Sequence, residues 1–236
     1  MECIYNFIWE KNGRAQNEDA LTFKHVTKEG KDYLLAVVCD GIGGLQEGEN
    51  ASSFVADSMG KELMCLLERK RSMRLRSWRN AFLRKIEQCH KLLRAYGKEK
   101  GIRLGTTISM IFLCNGKGCI LHAGDSAVFI GKSRLKRRTS IQRTKNGALK
   151  LAIGAGSELK VEWKRISVRK GNVILLGSDG FYQRIEEKLT DKDTIKELRK
   201  KNMSEDELGI WLRSKANIAK RMGECDNATA VCIVFR

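Results

Sequence analysis

Proline is missing from all 236 residues, histidine occurs only three times, and no two cysteines have the C-x-x-C spacing. Without proline there is no Pro-rich linker to mark a domain boundary, and glycine, asparagine and aspartate must supply the turns. The eight cysteines (3, 39, 65, 89, 114, 119, 225 and 232) mostly sit inside apolar runs, where a thiol behaves as a small hydrophobe. A soft-metal site using Cys114, Cys119 and His122 is the minor alternative, because the spacing is wrong for zinc. The longest apolar runs, at 34–39 and 108–114, are far too short to span a bilayer. No positive segment followed by an apolar one opens the chain, so the expectation is a cytoplasmic protein with no membrane partner. Acids are also scarce. The 28 Asp+Glu stand against 45 Lys+Arg, a net charge of +17 with a pI near 9.7, which excludes an acidic solvating protein and makes anionic partners plausible.

What is present suffices for a core: hydrophobic residues make up 42% of the chain, and its length suits a single domain over 1–236. Strands are predicted at 4–9, 20–26 and 33–39, where β-branched and aromatic residues are broken by Lys-Asn-Gly and Lys-Glu-Gly-Lys-Asp. Two helices follow. Val55, Met59, Leu63 and Leu66/Leu67 recur at helical steps, as do Trp78, Phe82, Ile86, Cys89, Leu93 and Tyr96, and each series should bury one stripe on a sheet. Strands resume at 106–113, 118–123, 126–131, 134–142, 161–168 and 173–178, read as an antiparallel meander with an Asn-Gly hairpin between Cys114 and Cys119. Helix signals return at Thr190-Asp-Lys-Asp193 and at the capping-box spacing Ser204-Glu-Asp-Glu207, before a last strand at 228–235. This order does not alternate as βαβ units do, so an α+β layered domain with two sheets and helices outside is expected.

Four aspartates fall at strand boundaries: Asp40 before Gly41, Asp125 after Gly124, Asp179 before Gly180, and Asp226 before the final strand. Any one alone is most simply a turn residue. Together they look like a cluster, and clustered carboxylates need cations; oxygen ligands without His or Cys select hard ions such as Mg²⁺ or Mn²⁺. Arg14, followed by Glu18 and Asp19, adds a guanidinium suited to gripping phosphate, although on its own it would be a surface salt bridge.

In chain order these residues resemble the metal-dependent PPM/PP2C serine/threonine protein phosphatases, particularly the small bacterial members. Arg14-Ala-Gln-Asn-Glu-Asp19 is similar to the family's R-x-x-N-E-D, Asp40-Gly-Ile-Gly-Gly44 to D-G-x-G-G, and Gly105-Thr-Thr107 to G-T-T. Gly124-Asp-Ser126 is similar to G-D-S-R, Ser178-Asp-Gly180 to S-D-G, and Asp226-Asn-Ala-Thr229 to D-N-x-T. The resemblance covers nearly the whole chain. It implies a four-layer αββα sandwich of two antiparallel β-sheets flanked by helices. It also implies two core ions, Mn²⁺ or Mg²⁺. Asp40 would bridge them, with the Gly41 carbonyl on one and Asp179 and Asp226 completing the other. Glu18 and Asp19 would hold waters, Asp125 with Asp179 would serve a third, weaker metal, and Arg14 would bind the phosphoryl oxygens. Two close cations lower the pKa of a shared water and clamp an in-line transfer, so no covalent phosphoenzyme is required. Cys89 to Arg94 is one residue too close for the Cys-x₅-Arg loop of covalent phosphatases. Phosphorylated proteins are the implied substrates, with a serine/threonine kinase as counterpart.

Three departures stand out. Ala127 occupies the place of the G-D-S-R arginine. Ile42, where many eukaryotic relatives carry a histidine and bacterial ones a methionine, cannot donate a proton. The chain between Asp125 and Asp179 is short, with Leu149-Lys-Leu-Ala-Ile-Gly154 resembling the stretch after the mobile flap, so the flap is expected to be trimmed. The segment 69–103 carries thirteen Lys/Arg against two acids, most simply a solvated helix face. Two rival readings are a catalytically weak or inactive binding module of the same fold and a basic nucleic-acid-binding protein. Retention of Arg14, Asp40, Asp179 and Asp226 argues against the first. Sparse aromatics for base stacking, with Trp78, Phe82 and Tyr96 assigned to the buried stripe, argue against the second.

Overall fold

The computed structural model describes residues 2–42, 47–69, 73–144, 149 and 151–236. Among the described residues, ten strands form two five-stranded antiparallel sheets. The first runs β1 (Cys3–Glu10), β10 (Ala228–Phe235), β9 (Val173–Gly177), β6 (Ala127–Gly131) and β7 (Leu135–Arg137) across the sheet. The second runs β2 (Asp19–Lys28), β3 (Lys31–Asp40), β4 (Ile108–Cys114), β5 (Lys117–Ala123) and β8 (Glu162–Ser167). Helices α1 (Gly48–Glu68) and α2 (Leu75–Lys100) belong with the second sheet. Short helices α3 (Asp179–Tyr182), α4 (Glu186–Leu189) and α5 (Lys192–Leu198), together with the longer α6 (Glu205–Arg221), belong with the first.

Strand period sorts the apolar residues into three cores. On β3, Leu35, Val37 and Cys39 face α1 and α2, whereas Leu34, Ala36 and Val38 face the other sheet and meet Val128, Ile174, Leu176, Val231 and Ile233. A continuous apolar run such as 34–39 is what a strand buried on both faces requires. The layer order is therefore helices, sheet, sheet, helices, the expected sandwich. The stripes of α1 and α2 bury Val55, Met59, Leu63, Trp78, Phe82 and Ile86, and the Trp78 ring stacks on Phe112 with centroids 4.7 Å apart. Removing a ring such as Phe82 costs about 3–5 kcal/mol. Tyr96 corrects the expected stripe: it is 38% exposed, its hydroxyl donating to Glu47 Oε2, because the buried stripe steps from Leu93 to Gly97 and leaves Tyr96 at its flank. The exposed side of α2 carries Arg76, Arg84, Lys91, Arg94, Lys98 and Lys100, the solvated face expected of the basic segment. The capping box at Ser204 and Glu207 opens α6 as expected.

Two tight hairpins set the register of the second sheet, with Glu29-Gly30 and Asn115-Gly116 at positive φ. The single meander expected over 106–178 is not formed. Instead β4, β5 and β8 belong to one sheet and β6, β7 and β9 to the other, with the chain passing between sheets at 124–126, over 138–161 and again over 168–172. Alternation is the same whichever sheet a strand joins, so the pattern could not distinguish the two arrangements. The strand expected at 134–142 is β7 alone. Beyond Arg138 the backbone leaves β6, as Gln142 N donates to the Gly124 carbonyl and Ser140 N to Glu162 Oε2. Among the described residues no helix is long and apolar enough to cross a membrane.

Candidate active site

One end of the sandwich collects the acids, and strand register explains how. The β2–β3 ladder pairs Asp19 with Asp40, and both share the parity of the residues facing the space between the sheets, so a slip of one residue would send them to the helix side. Asp179 opens α3 directly after β9, Asp125 lies in the turn joining β5 to β6, and Asp226 precedes β10. The carboxylates of Asp40, Asp125 and Asp179 each offer an oxygen, and these three oxygens lie within 4.8 Å of one another. Asp226 stands outside that trio; its Oδ2 accepts from Arg14 Nη2 at 2.8 Å at the exposed rim. Gly43 and Gly44 of the Asp40 motif lie outside the described residues.

The motif residues around these acids act as struts. Thr107 donates its backbone N–H to the Asp40 carbonyl at 2.8 Å, and its hydroxyl accepts from Asp40 N at 3.0 Å. Thr106 Oγ1 also donates to the Asp40 carbonyl, and Thr107 Oγ1 meets Ser126 Oγ at 2.7 Å, tying the G-T-T and G-D-S turns together. Glu18 N donates to Asn227 Oδ1, while Gly41 N and the Ser52 hydroxyl donate to the Glu18 carbonyl. Gly41 is required by that close approach, since a Cβ there would stand 2.6 Å from the Gly48 backbone and 2.7 Å from Glu18 O. Gly180 likewise lets α3 lie against the Asn227 carbonyl, 2.2 Å from where a Cβ would sit.

Ala127 is fully buried at the start of β6, and on the next strand Arg137 pairs in register with Phe129. Arg137 lies over the Tyr182 ring at 4.5 Å and pairs with Glu186, and the Tyr182 hydroxyl donates to the Asp125 carbonyl at 2.5 Å. Arg143 reaches the site from the chain between β7 and β8. Its Nε contacts Asp125 Oδ2 and its Nη2 contacts Asp179 Oδ2, each at 2.5 Å. Sequence reasoning gave no part to Arg143 or Tyr182: neither lies in a motif, and Arg143 is hidden in the Lys/Arg-rich stretch 132–145.

Burial pushes the Asp40 carboxyl well above the usual range, and the neighbouring Asp19, Asp179, Asp125 and Asp226 add to the shift. Asp19 is raised by burial and by Asp179 and Asp226, against the lowering effect first of the Thr229 hydroxyl and then of the Ser178 hydroxyl that donates to its Oδ2. Asp179 is raised by burial, then by Asp125 and Asp226, with Arg143 opposing. Buried Asp19 Oδ1 has no hydrogen-bond partner. Converging carboxylates that resist ionisation, one with an orphaned oxygen, fit an oxygen-ligated hard cation such as Mg²⁺ or Mn²⁺. Softer chemistry has no such support. His122 is occupied by Ser109 and the Ser140 carbonyl, and Cys89 is buried with its thiol pushed up, the reverse of an activated nucleophile.

Residues 11–214 match the family model for protein phosphatase 2C. No curated protein matches the chain in sequence. Among solved structures, the S. agalactiae serine/threonine phosphatase is 17% identical over 100% of both chains, with a TM-score of 0.81. Stp1 of Staphylococcus aureus is 20% identical, covers 100% of this chain and 96% of its own, and has a TM-score of 0.81. PstP/Ppp of Mycobacterium tuberculosis is 18% identical over 99% of both chains, with a TM-score of 0.73.

Proposed function

The chain belongs to the protein phosphatase 2C family and is a PP2C-type serine/threonine phosphoprotein phosphatase; from that premise we propose that its single domain, 1–236 with a shortened flap, hydrolyses phosphoserine and phosphothreonine using two core ions, Mn²⁺ or Mg²⁺. The observation that carries this reading is the convergence of Asp40, Asp125 and Asp179 within 4.8 Å. When bound, such ions supply an activated water and offset charge on the phosphoryl group.

The chain's own residues do the rest. Asp40, fixed through its backbone by Thr106 and Thr107, would hold the ions together with the Gly41 carbonyl, Asp179 and Asp226, and Glu18 and Asp19 would hold waters. Asp125 with Asp179 would hold a third, weaker ion. Arg14, with its side chain 51% exposed beside Asp226, is placed to grip phosphoryl oxygens entering from solvent. Ile42 has no proton to give, so the departing serine or threonine oxygen takes its proton from water. The partners that fit are phosphorylated cytoplasmic proteins and the serine/threonine kinase that modifies them. Burial of Trp78 and Phe82 leaves Tyr96 as the one exposed ring among these three aromatics of α2, too few for a stacking platform, which disfavours nucleic acid.

Purified protein should release phosphate from p-nitrophenyl phosphate and from phosphothreonine peptides with Mn²⁺, and EDTA should abolish that release. Asp40→Asn and Asp179→Asn should each lower turnover by roughly 10³-fold with an unchanged circular dichroism spectrum. Equal turnover by wild type and both variants would refute the ligand assignment.

A further inference from the structure

The Asp125–Asp179 pair already carries a cation that belongs to the chain. Arg143 contacts one oxygen of each carboxylate at 2.5 Å, and its side chain is 31% exposed against 5% for Asp125 and 15% for Asp179. Its neighbour Gln142 is lashed to the same turn: Gln142 N donates to the Gly124 carbonyl, and Gln142 Oε1 accepts from Gly124 N at 2.8 Å. Arg143 also bridges to Leu149 within the chain between β7 and β8. The guanidinium is thus delivered by backbone pairing to the turn that bears Asp125. A planar fork with a permanent charge can hold two carboxylates at once, which a lysine cannot.

We propose that Arg143 is a tethered counter-ion that keeps a divalent cation off the Asp125–Asp179 pair, so that a third ion binds only when Arg143 withdraws. The inference rests on the metal reading given above. A hard ion between these two residues needs their oxygens at about 2.0–2.2 Å, and Arg143 occupies one oxygen of each. A group held on the same chain competes at a high effective concentration, on the order of millimolar for a flexible tether, so a free ion must exceed that to displace it. Arg143 acts here as a positioning and selectivity residue. It sets how many ions the cluster takes and touches neither substrate nor reacting atoms.

Mn²⁺ binding to the metal-free full chain, followed by isothermal calorimetry and by loss of the free Mn²⁺ electron paramagnetic resonance signal, tests the proposal. Wild type should take two ions and a third only weakly. Arg143→Gln should bind the third at least ten-fold more tightly, and Arg143→Lys, which can reach only one carboxylate, should fall between. Melting temperature supplies the readout that a purely structural role would not move: Arg143→Gln should gain more from added Mn²⁺ than wild type does. Should Arg143→Gln prove unstable, the order of wild type and Arg143→Lys decides alone. Identical stoichiometry and affinity in a Mn²⁺-binding wild type and its variants would overturn this inference and leave the metal site standing. Absence of Mn²⁺ binding in all of them would overturn both.

Discussion

Two arginines pair with different carboxylates of the acidic cluster, and they are built differently. Arg14 precedes β2, makes one ion pair with Asp226 and has half its side chain in solvent. Arg143 comes from an irregular crossing between the sheets, spans two carboxylates and is more enclosed. An exposed pair is a weak tie, worth about 0–1 kcal/mol, so Arg14 can leave Asp226 for a phosphate at little cost. A fork on two largely buried acids is harder to undo, since withdrawal leaves like charges facing each other. The same side chain thus suits substrate capture in one place and charge balance in the other, and burial makes the difference.

The largest test of that contrast is Arg14→Ala, expected to lower kcat/KM about 10–100-fold through loss of a charge-assisted phosphate contact, with Arg14→Lys restoring part of it. A silent Arg14→Ala beside a catalytically costly Arg143→Gln would exchange the two roles. Next is the floor shared by both sides. Thr107→Val removes the hydroxyl that serves Asp40 N and Ser126, and should cost about 1–3 kcal/mol in the urea midpoint, equally with either arginine replaced. The smallest effect is a pH dependence of the metal-free protein. Folding raises the Asp19 carboxyl to about 8, and raises Asp40, chiefly by burial, so the native state holds protons that the unfolded chain releases. Stability from these groups therefore falls as pH rises from about 4, where unfolded aspartates titrate, toward the folded value. After EDTA dialysis the melting temperature should be a few degrees higher at pH 5 than at pH 8, and Mn²⁺ should close the gap; no such difference would mean these acids are not held together without metal.

The four aspartates were legible because each sits at a strand boundary beside Gly or Asn: Gly41, Gly124, Gly180 and Asn227. Asp40 after the apolar run of β3 and Asp179 after β9 could be found without any contact information. The struts were visible only as letters in motifs. That Thr107 clamps Asp40 across 67 residues, or that Asn227 orients Glu18 across 209, is a fact about hydrogen bonds between distant segments. The division of the middle strands between two sheets was not legible, because β5 and β6 have the same alternation and are separated by a turn compatible with either continuation. Tyr96 followed the helical period and still fell outside the core, since steps of three and four are both helical and the buried stripe passes from Leu93 to Gly97 instead.

The order of elements, the apolar faces, the hairpin turns and the acids that matter were fixed by the chain itself, because strand and helix periods and turn chemistry are local properties. Which sheet each strand joins, and which cation stands on which carboxylate, was decided only on folding. Arg143 lies 18 residues from Asp125 and 36 from Asp179 in sequence, and it becomes their partner solely because the chain crosses between sheets at the point where those two aspartates meet.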